Sequence, residues 1–442
     1  MLRSLQVFLN GVRLGTLHEH NDLWAFEYDP LWAVSATGFD LSPQLSRTRL
    51  RHEDGGSQRP VQWYFDNLLP EEHMRSALNQ EARLAGDDAF ALLQYLGAES
   101  AGSLVLVVPG QSPAPAGGLQ PLPDAALNLR IQNLPLATLG QAAPKKMSMA
   151  GAQHKLLVVV RDGEMWEPVG QTPSTHLLKP NHPGETYPHS VINEFFTMQL
   201  ARRMKLQVPR VFRRYVPAPV YLVERFDRDV APDGTTHRRH IVDACQLLDK
   251  ARTFKYQAAT LGTLLELVKR CRNRMSTRTR LYEWLVFNLL VGNNDNHLKN
   301  LSFHVSAEGV VLASHYDLLS TGVYLTRACA DDRAIWPVVE LAIPLPTAAV
   351  FADLTFAGVV QAGVALGLSQ PASERVLQRM LNSVLAQADA AIADIERDNA
   401  VLPPSLGHVL AGEMRLLRAI RHVVVQDMVA RLRAGSPATQ GG

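Results

Sequence analysis

Val291-Gly-Asn-Asn-Asp-Asn-His-Leu-Lys-Asn300, followed after a short strand and turn by His315-Tyr-Asp317, decides how this chain reads. Asp295 stands five residues before Asn300, and a second carboxylate, Asp317, follows on the next strand. Phosphoryl transfer needs groups of these kinds in this order. One carboxylate takes the proton of an attacking hydroxyl, while an amide and a second carboxylate hold magnesium against the nucleotide phosphates. A lone aspartate behind the apolar helix that ends at Val291 would read as a polar cap. Here Asp295, His297, Lys299 and Asn300 crowd into six positions, and one helix end needs only one of them. Asp317 alone is an ordinary turn residue; paired with Asn300 across a hairpin, it completes an oxygen set suited to magnesium. The spacing predicts a kinase.

Away from this segment, length and composition set bounds. With 442 residues, the chain is too long for one ordinary core and implies two or three cooperating domains. Its 46% hydrophobic content is that of a soluble globular protein, and its net charge of +2 declares neither a nucleic-acid nor a membrane partner. Cys245, Cys271 and Cys329 are scattered without CxxC spacing, which fits a reducing compartment and a cytoplasmic location. The first ten residues alternate like a strand and lack the features of a secretory signal, and no apolar run reaches the roughly 18 residues of a membrane span.

Organisation follows from periodicity. Residues 1–110 read as a small α+β module with strands at 5–9 and 24–28 and helices at 71–83 and 87–96. The breaker-rich Pro109-Gly-Gln-Ser-Pro-Ala-Pro-Ala-Gly-Gly118 opens a linker over 111–145. Residues 146–238 read as a small nucleotide-gripping lobe, with strands at 155–161, 176–179 and 220–224 around one helix, 190–204, whose Val191, Phe195, Met198 and Ala201 share a face. Residues 239–435 are predominantly helical (240–248, 260–272, 278–291, 372–397 and 412–434), broken only by short strands within 301–325, and 436–442 read as a frayed tail.

Other candidates are weaker one by one. Lys179 alternates with Leu177, which turns it inward, so it needs an anion; a phosphate is one, and Glu194 on the next helix is another. A strand-end lysine reaching water is the plain alternative. Val220-Tyr-Leu-Val-Glu-Arg-Phe-Asp-Arg228 runs from an apolar strand into charge, which suits either an adenine-binding hinge around Phe226 or a strand leaving the core, and spacing does not choose. Ser148-Met-Ala-Gly-Ala-Gln-His-Lys155 offers backbone N–H groups to phosphates, but with one glycine it matches neither GxxxxGK[ST] nor GxGxxG.

Together the pieces carry a family likeness. Phe65-Asp-Asn-Leu-Leu-Pro70, the 148–155 loop, Thr175-His-Leu-Leu-Lys179, Asn193-Glu194, Val223-Glu-Arg-Phe-Asp-Arg228, the 292–300 segment and Tyr316-Asp317 occur in an order that resembles the HipA-type serine/threonine kinase toxins of bacterial toxin-antitoxin modules. The resemblance implies an α+β, two-lobed protein-kinase-like fold with an N-terminal α+β subdomain and a mostly helical C-terminal lobe, using ATP and Mg2+. By that resemblance Asp295 becomes the proton acceptor, with His297, Lys299 and Asn300 forming the catalytic loop beside ATP. Asn300 and Asp317 become magnesium ligands, and Tyr316 and Lys179 lie at the nucleotide. Glu224, Arg225 and Phe226 match the adenine hinge, and Ala150, Gly151, Ala152, Gln153, His154 and Lys155 match the phosphate loop. Ser148 matches a serine whose autophosphorylation ejects that loop and stops ATP binding, as repulsion between a new phosphate and a polyanion would favour.

The resemblance also implies a HipB-like helix-turn-helix antitoxin, operator DNA reached through that antitoxin, and an aminoacyl-tRNA synthetase as protein substrate. His154 departs from the pattern, standing where an acidic residue is usual, and Asn294 and Asn296 are bulkier than usual at variable positions. Two other classes share part of the pattern. A small-molecule phosphotransferase would keep the Asp and Asn geometry without needing the N-terminal module or Ser148. A corepressor that only binds its antitoxin would not need the intact set Lys179, Asp295, Asn300 and Asp317.

Overall fold

A computed structural model describes residues 2–434 except 85, 112–116, 149, 152 and 233. Ala152 and the 436–442 tail therefore lie outside the described residues. The chain forms two compact units. The first comprises Met1–Pro183, Arg214–Phe254 and Ser302–Ala313, and the second Gly184–Arg213, Lys255–Leu301 and Ser314–Gly442.

The first unit begins with five antiparallel strands in the order Arg51–Glu53, Leu23–Tyr28, Val12–His20, Arg3–Leu9, Leu104–Val107. Alternation drives this sheet: Leu5 and Val7 are fully buried, and Leu5 lies opposite the equally buried Leu17. Helices Pro60–Asp66, Glu72–Glu81 and Ala89–Leu96 accompany it, the last capped by Asp88, whose carboxylate accepts from the Ala91 N–H at 3.0 Å.

A second antiparallel sheet runs in the order Gly118–Pro121, Glu164–Val169, Leu156–Arg161, His176–Pro180, Pro219–Glu224. Its core gathers Leu122, Leu127, Leu156, Val158, Leu178, Val220 and Leu222. Residues 111–145, which by composition read as a linker, supply to it both the strand Gly118–Pro121 and the helix Asp124–Gln132. Leu122, Leu127, Leu139 and Ala143 anchor the stretch in that core, at spacings too irregular to register as periodicity.

A third sheet, Ile241–Asp243, Ser302–Ser306 and Gly309–Leu312, completes the first unit. It corrects the helical reading of 240–248, which is a strand followed by a single turn, Ala244–Leu247. The switch is written at Asp243: its carboxylate accepts from the Gln246 N–H at 2.8 Å, while the Gln246 side-chain oxygen accepts from the Asp243 N–H at 2.9 Å.

The second unit is helical, as its apolar periodicity predicts. Helix Gln370–Asn399, 30 residues long, buries Leu377, Met380, Leu381, Val384, Ala388, Ala391, Ile392 and Ile395 along one stripe. Ser190–Arg203, Leu261–Arg270 and Arg274–Leu290 fall close to the expected spans, and Phe356–Ala365 adds a helix that the sequence reading did not mark. The stretch read as one helix over 412–434 is Gly407–Ala419 and Gln426–Ala434 joined by a π-helical turn, Ile420–Val425. No helix among the described residues is long and apolar enough to cross a membrane.

Candidate functional site

In the second unit, helix Arg274–Leu290 delivers the chain into a loop held by its own polar residues. Gly292 takes φ +64, and a Cβ there would stand 2.6 Å from Val424 and 2.8 Å from Trp336, so only glycine fits. The Asn293 amide donates to Asn288 at 2.7 Å, and its oxygen accepts from the Asp295 N–H at 3.0 Å. Thr321 accepts from the Asn294 N–H at 2.7 Å and donates to the Gly292 carbonyl at 3.2 Å. The Asn300 amide donates to the Asp295 carbonyl at 2.8 Å, tying the two candidate residues together through one turn. Asn294 and Asn296 fit this frame without distortion, Asn296 being buried.

Within that frame 42% of the Asp295 side chain is accessible and the rest is packed against protein; its carboxylate accepts a hydrogen bond from the Tyr256 hydroxyl and lies 4.0 Å from His297 Nε2. The His297 ring meets Tyr256 edge-on at 4.8 Å. Burial pushes the Asp295 carboxyl above its usual range; His297 and the Tyr256 hydroxyl pull against that, the charge of Asp317 adds to it, and Lys255 opposes. The contribution of Asp317 means that the two carboxylates named by the sequence lie close enough to repel.

That electrostatic pairing has a pH consequence. To serve as a base Asp295 would have to be ionised, and in that role it would set the acid limb of kcat/KM above the ordinary carboxylate value of 3.8. Tyr256→Phe removes a hydrogen bond that holds the carboxylate ionised, so the limb should move further up. A limb that stays or moves down in the variant's pH profile contradicts this assignment.

Lys299 and Asn300 are buried, and the Lys299 carbonyl accepts from the Tyr316 hydroxyl at 2.7 Å. His315, in contrast, stacks on Trp284 and is held neutral by burial, its pKa pushed down to about 3. Asp317 adopts φ +57, a left-handed conformation that aspartate tolerates better than most residues and that concentrates at functional sites. Its neighbourhood is fixed by a residue that spacing did not single out for a role. Asn193, fully buried on helix Ser190–Arg203, donates to the Ser320 carbonyl at 2.9 Å and accepts from the Ser320 N–H at 2.8 Å. Only the Asn193-Glu194 pair in the family pattern hinted at it. Glu194, the expected partner of Lys179, is buried on the same helix.

In the first unit, Lys179 is buried on strand His176–Pro180, its Nζ 5.9 Å from the centre of the Tyr221 ring. Ser148 is buried, its hydroxyl donating to the Leu68 carbonyl at 2.6 Å and its N–H to the Glu99 carbonyl at 2.7 Å. The Ala150 carbonyl accepts from Lys155 Nζ, and Gly151 pairs as an isolated bridge with Pro70. Gly151, Gln153 and Lys155 line a cleft with Pro70 and Met74. His154 is buried with neither ring nitrogen hydrogen-bonded, and burial, with His73 and His182, pushes its pKa down to about 4.

Glu224 ends strand Pro219–Glu224, and Phe226 meets His304 edge-on at 6.1 Å. The Arg225 N–H donates to the Thr175 carbonyl at 2.9 Å, so that amide is already engaged. Nor does the charged run leave the core: Arg225, Asp227 and Arg228 are all buried in one ion cluster.

These features define a kinase-like α+β protein. Family models match it at both ends, the HipA N-terminal domain over residues 5–107 and the HipA-like C-terminal domain over 147–391. Y4mE of Sinorhizobium fredii is 36% identical over 337 residues, 73% of this chain and 78% of that protein. The serine/threonine-protein kinase toxin HipA of Shewanella oneidensis is 31% identical over 345 residues, 73% of this chain and 76% of that one. A solved complex of Shewanella oneidensis MR-1 HipA with HipB and its operator DNA superimposes with TM-score 0.76 at 25% identity, covering 98% of this chain and 100% of that one. The chain belongs to the HipA family.

Proposed function

We propose that this protein is an ATP-dependent serine/threonine protein kinase acting as the toxin of a toxin-antitoxin module. The observation that carries this reading is the loop of the second unit, where Asp295 is tied to Asn300 and feels the charge of Asp317. Asn300 and Asp317 offer an amide and a carboxylate oxygen beside a second acid, a donor set that fits Mg2+ and not a softer metal. Bound there, the ion would neutralise charge on the phosphates.

The chain's own groups would do the rest. A serine or threonine hydroxyl of the substrate attacks the γ-phosphorus of ATP; the new O–P bond forms as the bond to the ADP oxygen breaks, and the hydroxyl proton passes to an Asp295 carboxylate oxygen. His297 and Tyr256 orient that carboxylate. Lys179, a buried cation, suits the nucleotide phosphates, as do the backbone groups of 150–155. Glu224 to Phe226 is assigned to the adenine edge.

Ser148 is the proposed site of self-inactivation. Its hydroxyl is a donor to a carbonyl at 2.6 Å, a place that a phosphate, carrying acceptors only, cannot occupy. Ser148→Ala is therefore expected to leave substrate phosphorylation intact and to abolish the progressive loss of activity during incubation with ATP. Mass spectrometry of the incubated chain checks it, and a variant that still takes up phosphate and still loses activity contradicts it.

The solved HipA, HipB and operator DNA complex supports a HipB-like antitoxin, and operator DNA reached through it, as partners; an aminoacyl-tRNA synthetase as substrate and a cytoplasmic location complete the proposal. The intact set Lys179, Asp295, Asn300 and Asp317 favours turnover over a binding-only corepressor, and the matched N-terminal domain favours a protein kinase over a small-molecule phosphotransferase. Incubating the purified chain and a lysate with labelled ATP tests this: label in the chain and in a discrete lysate protein supports the reading, and no protein label refutes it.

A further inference from the structure

Glu99, at the end of the N-terminal domain, is surrounded by the chain that the proposed kinase must keep in order. It is 1% exposed. One carboxylate oxygen accepts from Lys145 Nζ at 2.7 Å. The other accepts from the Ser174 hydroxyl at 2.7 Å, the Ser174 N–H at 3.1 Å, Arg228 at 2.8 Å and Arg225 at 3.2 Å. Its backbone carbonyl accepts the Ser148 N–H at 2.7 Å. A single residue thus grips both ends of a four-residue step, Lys145 by its side chain and Ser148 by its main chain.

More of the N-terminal domain holds the same segment. Leu68 accepts the Ser148 hydroxyl at 2.6 Å, Pro70 bridges to Gly151, and the Glu71 N–H donates to the Gly151 carbonyl at 3.3 Å. Every one of these anchors lies within residues 5–107, the domain that no step of the transfer reaction uses.

The electrostatics single out Glu99 among them. Around it two carboxylates, Glu99 and Asp227, face four buried cations, Lys145, Arg225, Arg228 and Arg238. Burial alone would raise its pKa, but Lys145, Arg228, Arg225 and Arg238 more than reverse that and hold it well below the carboxylate range. An ionised Glu99 supplies the charged anchor of Lys145, whose Nζ also donates to the Thr172 carbonyl at 3.0 Å. Removing its charge would leave three arginines and a lysine against Asp227 alone, and Lys145, the member on the Ser148 segment, has no other ion-pair partner among the described residues.

We propose that Glu99 is a positioning residue through which the N-terminal domain latches the Ser148 segment, so that breaking the Glu99–Lys145 contact sets how readily Ser148 becomes available for phosphorylation. This rests on the kinase reading for its consequence but not for its geometry. Ser148 cannot be modified while its hydroxyl and N–H are both buried and engaged, so the segment must first come off its anchors, and the strongest of these is charge-assisted. The N-terminal domain is then a timer on self-inactivation.

The test compares Glu99→Gln, Lys145→Met and Lys145→Arg with the unaltered full chain by amide hydrogen exchange and by the rate of phosphate uptake at Ser148 from ATP. Losing a hydrogen bond between charged groups corresponds to about tenfold or more in an opening equilibrium. The Ser148 N–H is accordingly expected to exchange about tenfold faster in Glu99→Gln and Lys145→Met, with amides of strand Arg3–Leu9 unchanged, while Lys145→Arg stays near the unaltered chain. Phosphate uptake at Ser148 should accelerate in the same two variants. Unchanged Ser148 exchange in Lys145→Met overturns the latch, as does faster exchange with no acceleration in a chain that phosphorylates. If Glu99→Gln does not fold, Lys145→Met decides alone. A chain that transfers no phosphate refutes the kinase reading, and the exchange comparison still decides the latch.

Discussion

Asp295→Asn is expected to lower the rate of phosphate transfer by a factor of about 10²–10⁴, the usual contribution of a positioned general base, with little change in stability. The loop does not depend on the charge. The Asp295 N–H still donates to Asn293, its carbonyl still accepts from Asn300, and an amide oxygen still accepts from Tyr256. What is lost is the negative charge and basicity of the oxygen that takes the hydroxyl proton. Removing the repulsion between Asp295 and Asp317 would if anything ease cation binding, so ATP affinity should hold while turnover falls. A single-turnover rate reduced less than about tenfold would show that the carboxylate is not the base.

Asn193→Ala is expected to act on the same centre from behind. The side chain is fully buried and satisfies both backbone groups of Ser320, three residues past Asp317. Alanine leaves a buried N–H and a buried carbonyl without these partners, a cost of about 2–5 kcal/mol for the two groups together. The melting temperature should fall by about 5 °C or more, and turnover should fall as well because the left-handed turn at Asp317 loses its support. Asn193→Asp can accept from the Ser320 N–H but, ionised, sets an uncompensated buried charge against the Ser320 carbonyl, so it should cost at least as much as alanine. Thermal unfolding and ATP turnover of the two variants, measured side by side, check the order; an alanine variant with native stability and turnover contradicts it.

What the sequence made legible was local and repetitive. Helix Gln370–Asn399 shows an apolar stripe over many turns, and the glycine, asparagines and aspartate of 292–300 sit beside each other in the chain, so their joint purpose could be read without coordinates. Interactions between distant residues were not legible. Asn193 bonds to Ser320 across 127 positions, and Tyr256 to Asp295 across 39, separations at which no spacing rule operates. The charges of Val223-Glu-Arg-Phe-Asp-Arg228 left an adenine-binding hinge and an exit from the core equally open, because buried charge is rare without partners, and the partner, Glu99, comes from elsewhere in the chain. Residues 111–145 were misleading for a simpler reason. A short strand and helix can be held by Leu122, Leu127, Leu139 and Ala143 even when proline, glycine and alanine dominate the composition.

Whether Asp295, Asn300 and Asp317 form one centre is decided by a crystal structure of the chain with a non-hydrolysable ATP analogue and manganese, located by its anomalous signal. Metal density is expected coordinated by Asn300 and Asp317, with the terminal phosphate within reach of a hydroxyl bonded to Asp295. Nucleotide bound with its metal coordinated elsewhere, or with these three side chains turned from the terminal phosphate, would contradict it.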